Sequence, residues 1–448
     1  MFQNRMILLF FYLCNMFNKK TVAFHTLGCK LNFSETSTIS RQLCDMGFNK
    51  ISFNEKADLY VINTCSVTEN ANKECNRLIR KVKKISPNSL VIITGCYAQL
   101  KPKEISNIEG VDLVIGAKEK FNIPEIINKF NRKNTNKIYG CEISDLNYSS
   151  SFSLSERSRS FLKIQDGCDY KCTYCTIPLA RGNSRCDTID RIIENAKRIS
   201  KNNIKEIVIT GVNIGEYIDP INGSNFYELI QSLDKVKGID RYRISSIEPN
   251  LITDDIIKFV KESKKFMPHF HIPLQSGSNT ILRKMKRRYR KSLYEDKVKK
   301  IIELMPDACI GSDVIVGFPG EDDFLFKQTL DFIKNLPISY LHVFSYSERE
   351  NTLAKDFNNS VPKHVRSDRS KKLRTLSNKL KRNYYQKYLK SNQTAFIESE
   401  KKDGFLYGFT DNYIKIKVPY SEKIIQKKVN VNLLSFDENG SILSEVKN

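Results

Sequence analysis

Three cysteines fall within eight residues of FLKIQDGCDYKCTYCTIPLARG (Phe161–Gly182), at the spacing Cys168-x3-Cys172-x2-Cys175. Thiolates spaced this closely bind metal, and two chemistries fit. Zinc takes four protein ligands in a tetrahedron, and Cys186 downstream is available as a fourth. A cubane iron–sulfur cluster is normally held by four thiolates; held by three, it keeps one iron open to a small molecule. Spacing alone leaves both open. A second trio shifts the balance. Cys29, Cys65 and Cys96 end the stretches TVAFHTLGC, ADLYVINTC and LVIITGC, each of which reads as a strand. Helical segments over Ser34–Met46 and Asn70–Lys84 lie between them, and VDLVIG follows as a fourth strand. Alternating strands and helices make a parallel sheet with right-handed crossovers. The C-terminal ends of its strands share one edge, where open α/β folds bind ligands. The three cysteines are therefore expected to meet there, again one ligand short.

The next region repeats the alternation with six strand candidates: FLKIQDG, EIVITG, RYRISSI, PHFHIPL, CIGSDVIVGF and LHVFSY. Helical segments such as Thr188–Lys201 and Leu282–Leu304 separate them. Repeated βα units predict a barrel or partial barrel with its chemistry at the C-terminal strand ends, and the Cys168 loop follows the first strand. The tail alternates apolar and polar residues in AFIESEKK, YIKIKV and KKVNVNLL, a small all-β barrel of a type that often binds RNA. The fold class is thus α/β: an N-terminal parallel-sheet domain (19–133), a linker dense in Asn and Ser (134–156), a central partial (βα)6 barrel (157–362), a basic helical linker (363–390) and the β tail (391–448). The basic linker holds eleven Lys and Arg against one Asp. Val365, Leu373, Leu376 and Leu380 give it a partial apolar stripe that should pack; its charges read equally as a solvated face or as phosphate contacts.

A chain of 448 residues has room for about three domains, and 40% hydrophobic content builds cores rather than disorder. Basic residues outnumber acidic ones 73 to 50, a net charge of +23 that favours a polyanion, nucleic acid before membrane. Twelve clustered cysteines do not suit a disulfide scaffold of this length. The one secretory-looking run, Met6–Phe17, is too short for a bilayer of ~30 Å and lacks a cleavage site. Residues 1–18 read as a spurious or disordered extension with the start at Met16. The expected setting is the reducing cytoplasm, with thiols available for metal. Cys44 and Cys75 sit in helical patterns and read as buried or inert. The five histidines do not cluster, His269 and His271 read as strand packing, and no general acid or base stands out.

A three-cysteine loop after the first strand of a βα barrel resembles the radical S-adenosylmethionine (SAM) enzymes, in which SAM ligates the open iron. The upstream trio, in TLGCKLNFSET, VINTCSV and ITGCYAQ, resembles the methylthiotransferase branch. So do ITGVNIGEY, RISSIEP, HIPLQSGS, SDVIVGFPGE and FSYSERENTLA, and the tail resembles the TRAM RNA-binding domain; the likeness runs from Thr21 to Val446. TLGCKLNFSE with ISSIEP resembles the bacterial threonylcarbamoyladenosine tRNA enzymes, ahead of the isopentenyladenosine tRNA and ribosomal-protein aspartate branches. Two residues depart from the pattern: Asn351 stands where Gly is usual, and Lys286 where Asn is common. Asn tolerates φ > 0 better than most residues, so the turn at Asn351 should survive.

The resemblance implies two [4Fe-4S] clusters: an auxiliary one on Cys29, Cys65 and Cys96, and one on Cys168, Cys172 and Cys175 that binds SAM. It implies transfer of a methylthio group to C2 of N6-threonylcarbamoyladenosine beside the anticodon, after a SAM-derived 5′-deoxyadenosyl radical removes the hydrogen there. Such a hydrogen is beyond side-chain acid–base chemistry, so the cofactors carry the step. The implied partners are the tRNA anticodon loop, a reductant such as flavodoxin or ferredoxin, and a sulfur donor, with no membrane. For SAM the candidates are the strand-end residues Thr210, Gly211, Asn213, Glu248, Asp313 and Gly317. The small ones admit close backbone approach and the polar ones suit amino or ribose groups. A rival of another class, a non-catalytic zinc RNA-binding protein, would carry zinc in the Cys168 loop.

Overall fold

The computed structural model describes residues 20–66, 69–130, 137–143, 146–154 and 158–447. The extension expected at 1–18 lies outside the described residues. The chain divides into two units: residues up to Ser153 with Leu179–Gly182, and Leu154–Pro178 with Asn183 onward.

The strands of the first unit are β1 (Thr21–Thr26), β2 (Asn49–Ile51), β3 (Leu59–Thr64), β4 (Leu90–Gly95), β5 (Leu113–Ile115) and β6 (Ile138–Tyr139), most of them short apolar runs. All pair in parallel, in the order β2-β1-β3-β4-β5-β6. Every residue of β3 is buried, as a central parallel strand covered on both faces requires. Tyr60, Ile62, Val91 and Ile93 pack one face with Leu78 and Ile79; Val61 and Ile92 pack the other with Ile39 and Leu43. Two edge strands, β2 and β6, escape the sequence pattern because two or three residues carry no period. Part of the expected linker also docks on this unit. Ser151 Oγ lies 3.0 Å from Ser34 Oγ, and Arg41 Nη2 donates to Phe152 O at 2.8 Å.

In the second unit β7 (Arg159–Lys163) leads into a short antiparallel pair, β8 (Gln165–Asp166) and β9 (Arg185–Cys186), which closes the cysteine loop. β10 (Glu206–Thr210), β11 (Arg241–Ile244), β12 (His269–His271), β13 (Cys309–Val316) and β14 (Tyr340–Ser345) follow. β7, β10 and β11 form one parallel sheet; β12, β13 and β14 form another. Parallel bridges Tyr242–Phe266 and Ser246–His271 join β11 to β12. The result is the expected row of six parallel strands, a partial (βα)6 barrel. Helices begin where Thr188, Asn225, Thr253 and Asp322 accept hydrogen bonds from first-turn N–H groups.

The single helix expected over Leu282–Leu304 is two, Asn279–Lys284 and Lys291–Leu304. Lys286 lies at φ +55° between them, a left-handed conformation that an apolar period does not reveal. Asn351 keeps its turn at φ +62°. A lysine has no local hydrogen bond to offset that strain, so Lys286→Asn should stabilise the protein by about 0.5–1 kcal/mol. A higher denaturant midpoint at unchanged slope would register it.

The basic segment forms the helix Lys363–Gln386. Its buried face includes Arg366 and Arg369 beside Leu373, Ser377, Tyr384 and Tyr385, whereas Val365, Leu376 and Leu380 are only half-buried. Arg366 donates to the carbonyls of Val361 and Tyr346, and Arg369 to Glu321 O and Asp323 Oδ1. Two of the basic charges are therefore structural. Beyond the helix, β15 (Asn392–Lys402), β16 (Phe405–Thr410), β17 (Lys415–Pro419), β18 (Lys428–Phe436) and β19 (Ile442–Val446) close a barrel in the order β15-β16-β17-β19-β18. It docks on the N-terminal ends of the parallel strands. Cys309 shares its core with Tyr384, Tyr385, Ile414 and Ile416, and Arg241 and Arg243 donate to the carbonyls of Phe409, Thr410 and Asp411.

Candidate cluster and cofactor sites

The upstream trio follows three adjacent strand ends. Cys29 caps the helix Lys30–Asp45, Cys65 follows β3, and Cys96 opens the short helix after β4. Gly28, at φ +95°, makes the approach possible: a Cβ there would lie 2.7 Å from Cys65 Sγ. Asn32 Nδ2 donates to Leu27 O and Thr64 O at 2.9 Å each, tying the ends of β1 and β3 together. Cys29 is exposed as a residue, yet lost hydration around its sulfur raises the thiol pKa, while Arg181 pulls it down. Cys96 lies within electrostatic reach of it. The three cysteines thus follow adjacent strands at the C-terminal edge of one parallel sheet, Cys65 against Gly28 and Cys96 within electrostatic reach of Cys29.

In the downstream loop each sulfur receives an N–H donor. Tyr170 N reaches Cys168 Sγ at 3.4 Å, Arg287 Nη1 reaches Cys172 Sγ at 3.2 Å, and Ile177 N reaches Cys175 Sγ at 3.5 Å. Donors aimed at sulfur favour thiolate and tune iron–sulfur clusters. Without metal, burial pushes Cys168 and Cys175 up to about 12, so a bound metal must displace protons. The charged neighbours of Cys186 include Glu216, Asp169 and Asp187. Cys75 is buried as expected, but Cys44 is exposed, on the outer side of its helix.

The SAM candidates separate into two groups. Asn213 is buried beyond the end of its strand, with the Glu216 carboxylate beside it and its amide oxygen unpartnered. Glu248 pairs with Arg287; burial raises its carboxyl pKa and the guanidinium opposes this. The other four, like Glu248, are engaged by the protein itself. Thr210 turns its hydroxyl to Val208 O, and Gly211 is crowded by Ile214 and Gln165. Gly317 yields its side-chain space to Arg366. Asp313 accepts from His271 Nε2 at 2.9 Å and His342 Nδ1 at 3.2 Å. Burial would raise its carboxyl, but the imidazoles outweigh that and hold it well below the usual range.

Three of the five histidines do cluster. His269 Nε2 lies 3.0 Å from Tyr340 Oη, and His271 and His342 flank Asp313. These residues come from three strands, and only the register that sets Asp313 beside His342 discloses the group. Arg287 is the residue of this candidate site that the sequence pattern hides. Buried, it touches Cys172, Glu248 and the Tyr174 hydroxyl, and it reaches them because the chain breaks at Lys286.

Residues 21–116 match the family described as Uncharacterized protein family UPF0004, and residues 162–333 match the radical SAM superfamily. Threonylcarbamoyladenosine tRNA methylthiotransferase MtaB of Bacillus subtilis (strain 168) is 39% identical over 426 residues, covering 92% of this chain and 94% of that protein. The chain belongs to the radical SAM methylthiotransferase family. The protein of the same name from Aquifex aeolicus (strain VF5) is 36% identical, covering 88% of this chain and 96% of that one. A tRNA-2-methylthio-N(6)-dimethylallyladenosine synthase of Clostridium tetani (strain Massachusetts / E88) is 31% identical, with coverages of 94% and 96%. Among solved structures, the radical SAM methyltransferase TsrM from Kitasatospora setae aligns with a TM-score of 0.55 at 12% identity, over 75% of this chain and 77% of that one. That likeness speaks to fold alone. The family's cofactors are SAM and two [4Fe-4S] clusters, and the two cysteine trios fit them. No helix among the described residues is long and apolar enough to cross a membrane.

Proposed function

We propose that the protein methylthiolates C2 of N6-threonylcarbamoyladenosine next to the anticodon of tRNA, giving 2-methylthio-N6-threonylcarbamoyladenosine. The observation that carries this is the pair of cysteine trios, in a chain that spans 94% of a relative bearing that enzyme's name. Cys29, Cys65 and Cys96 would hold the auxiliary cluster, and Cys168, Cys172 and Cys175 the cluster that takes SAM. Asn213 and Glu248, with Thr210, Gly211, Asp313 and Gly317 around them, would line the SAM site. When bound, the cofactors supply radical removal of the C2 hydrogen and the methylthio group that replaces it.

The chain's own residues position and shield. Arg287 bridges Cys172 and Glu248, so one cation orders both a cluster ligand and a candidate SAM contact. The adenine must leave its stack, which costs least in a single-stranded loop. The basic surface and the C-terminal barrel would grip the tRNA backbone, with affinity falling steeply with salt. A small electron carrier such as flavodoxin or ferredoxin, a sulfur donor and a cytoplasmic setting complete the proposal.

The test is mass spectrometry of tRNA nucleosides from a strain lacking the gene. The 2-methylthio form should vanish and N6-threonylcarbamoyladenosine accumulate. An unchanged level would overturn the substrate, and loss of 2-methylthio-isopentenyladenosine instead would assign the other tRNA branch.

A further inference from the structure

Thr173 stands between Cys172 and Cys175, and it fastens their loop to the end of the helix Asn279–Lys284. Thr173 Oγ1 donates to Lys284 O at 2.9 Å, and Thr173 N donates to Met285 O at 3.2 Å. The same helix end fixes Arg287. Lys286 is left-handed at φ +55°, with Lys286 N donating to Arg283 O and Arg287 N to Leu282 O, each at 2.9 Å. That pair of bonds is a Schellman motif, which holds the residue after the left-handed one in place. The Arg287 side chain therefore meets the cysteine loop with both backbones anchored. It is 4% exposed, with Nη1 3.2 Å from Cys172 Sγ and 3.4 Å from Tyr174 Oη, and with Nη2 on the Glu248 carboxylate. One cation thus lies between a sulfur and a carboxylate. Cys168 and Cys175 take N–H donors from the backbone of Tyr170 and Ile177, whereas the donor to Cys172 is a side chain that a substitution can remove.

Hydrogen bonds to sulfur and nearby charge set the reduction potential of an iron–sulfur cluster. We propose that Arg287 is a positioning residue of the loop cluster, whose N–H···S bond to Cys172 raises the reduction potential while Glu248 opposes it. The proposal rests on the reading that Cys168, Cys172 and Cys175 hold a cluster. One electron from an external low-potential carrier reduces the oxidised cluster and adds one negative charge, with no bond formed or broken. The guanidinium stabilises that added charge, and the carboxylate beyond it does the reverse. Removing the cation and removing the anion therefore shift the potential in opposite directions, which a general loosening of the site would not do.

The experiment uses the full chain with Cys29, Cys65 and Cys96 replaced by alanine, reconstituted anaerobically without SAM so that only the loop cluster is present. Potentiometric titration with dithionite, followed by electron paramagnetic resonance of the reduced cluster, gives its potential. In this background Arg287→Met should lower the reduced-to-oxidised ratio at fixed potential about tenfold, a shift of about 59 mV for one electron. Glu248→Gln, which keeps the shape and an acceptor for Arg287 but removes the negative charge, should raise that ratio about threefold, half the logarithmic step. No change in either variant, or a shift of the same sign in both, overturns the proposal. Where one variant takes up no iron, the sign of the other decides. Loss of iron from both assigns the pair to the fold alone and overturns the proposal as well. A triple-alanine parent without iron overturns the reading that the loop holds a cluster, and the proposal with it.

Discussion

Replacing Cys168, Cys172 and Cys175 together by alanine should halve the iron of the reconstituted protein, from about eight to about four atoms per chain. It should also abolish both SAM cleavage and methylthiolation. The reasoning starts from the loop. Tyr170 N, Arg287 Nη1 and Ile177 N each point at one of the three sulfurs, an arrangement with no use for a neutral thiol packed as a hydrophobe. The upstream trio belongs to a different unit, with its own strands and core, so its cluster should survive the substitution. Iron and acid-labile sulfide analysis checks the first half, and chromatography for 5′-deoxyadenosine checks the second. A colourless protein holding zinc would instead favour the RNA-binding alternative. Full iron retention in the variant would show that these cysteines hold no cluster.

Much of this organisation is legible in sequence because it rests on local pattern. β3 and β4 are continuous apolar runs ending at a cysteine, so both their type and the meeting of their ends follow from the parallel-sheet rule. The six barrel strands are recoverable for the same reason. What escapes depends on contacts between distant segments. His271, Asp313 and His342 become neighbours only through the register of β12, β13 and β14. Arg287 enters the cluster loop because Lys286 breaks a helix that the apolar period would carry through. Arg366 and Arg369 look like two charges on a solvated helix until Glu321, Asp323 and the carbonyls of Val361 and Tyr346 are placed around them. Arg181 reads as the end of a cysteine loop, and only the folded chain sets it against Glu35 and Asn32. Buried charge is the common element. Its partners, not its own neighbours in sequence, decide whether it lies inside.

Glu206→Gln should cost about 3–5 kcal/mol and loosen the C-terminal barrel from the strands it caps. Glu206 is 1% exposed and faces Arg241 Nε at 3.0 Å, Arg243 Nε at 3.1 Å and Arg159 Nη1 at 3.8 Å. Burial alone would raise its carboxyl, but the three guanidinium groups pull it down to about 2, against 4.5 unperturbed. Burial has the opposite result at Arg241, lowering it to about 10, so that arginine stays charged at neutral pH with Glu206 as its close counter-ion. A carboxyl depressed on folding stabilises the fold above its unfolded pKa, and the gain is lost as pH falls through the folded one. The wild-type protein should therefore lose about 3 kcal/mol between pH 4.5 and 2 from this group, a contribution absent from the glutamine variant. Arg241 and Arg243 also donate to the carbonyls of Phe409, Thr410 and Asp411, so disordering them reaches the C-terminal barrel directly. Limited proteolysis should release that barrel from the variant sooner than from wild type. Salt separates this effect from RNA binding. Phosphate contacts weaken steeply as ionic strength rises, whereas a buried pair is screened little. The proteolysis difference should thus persist at a salt concentration that has already abolished tRNA binding. Cleavage of the two proteins at equal rates would mean that Glu206 does not hold the barrel in place.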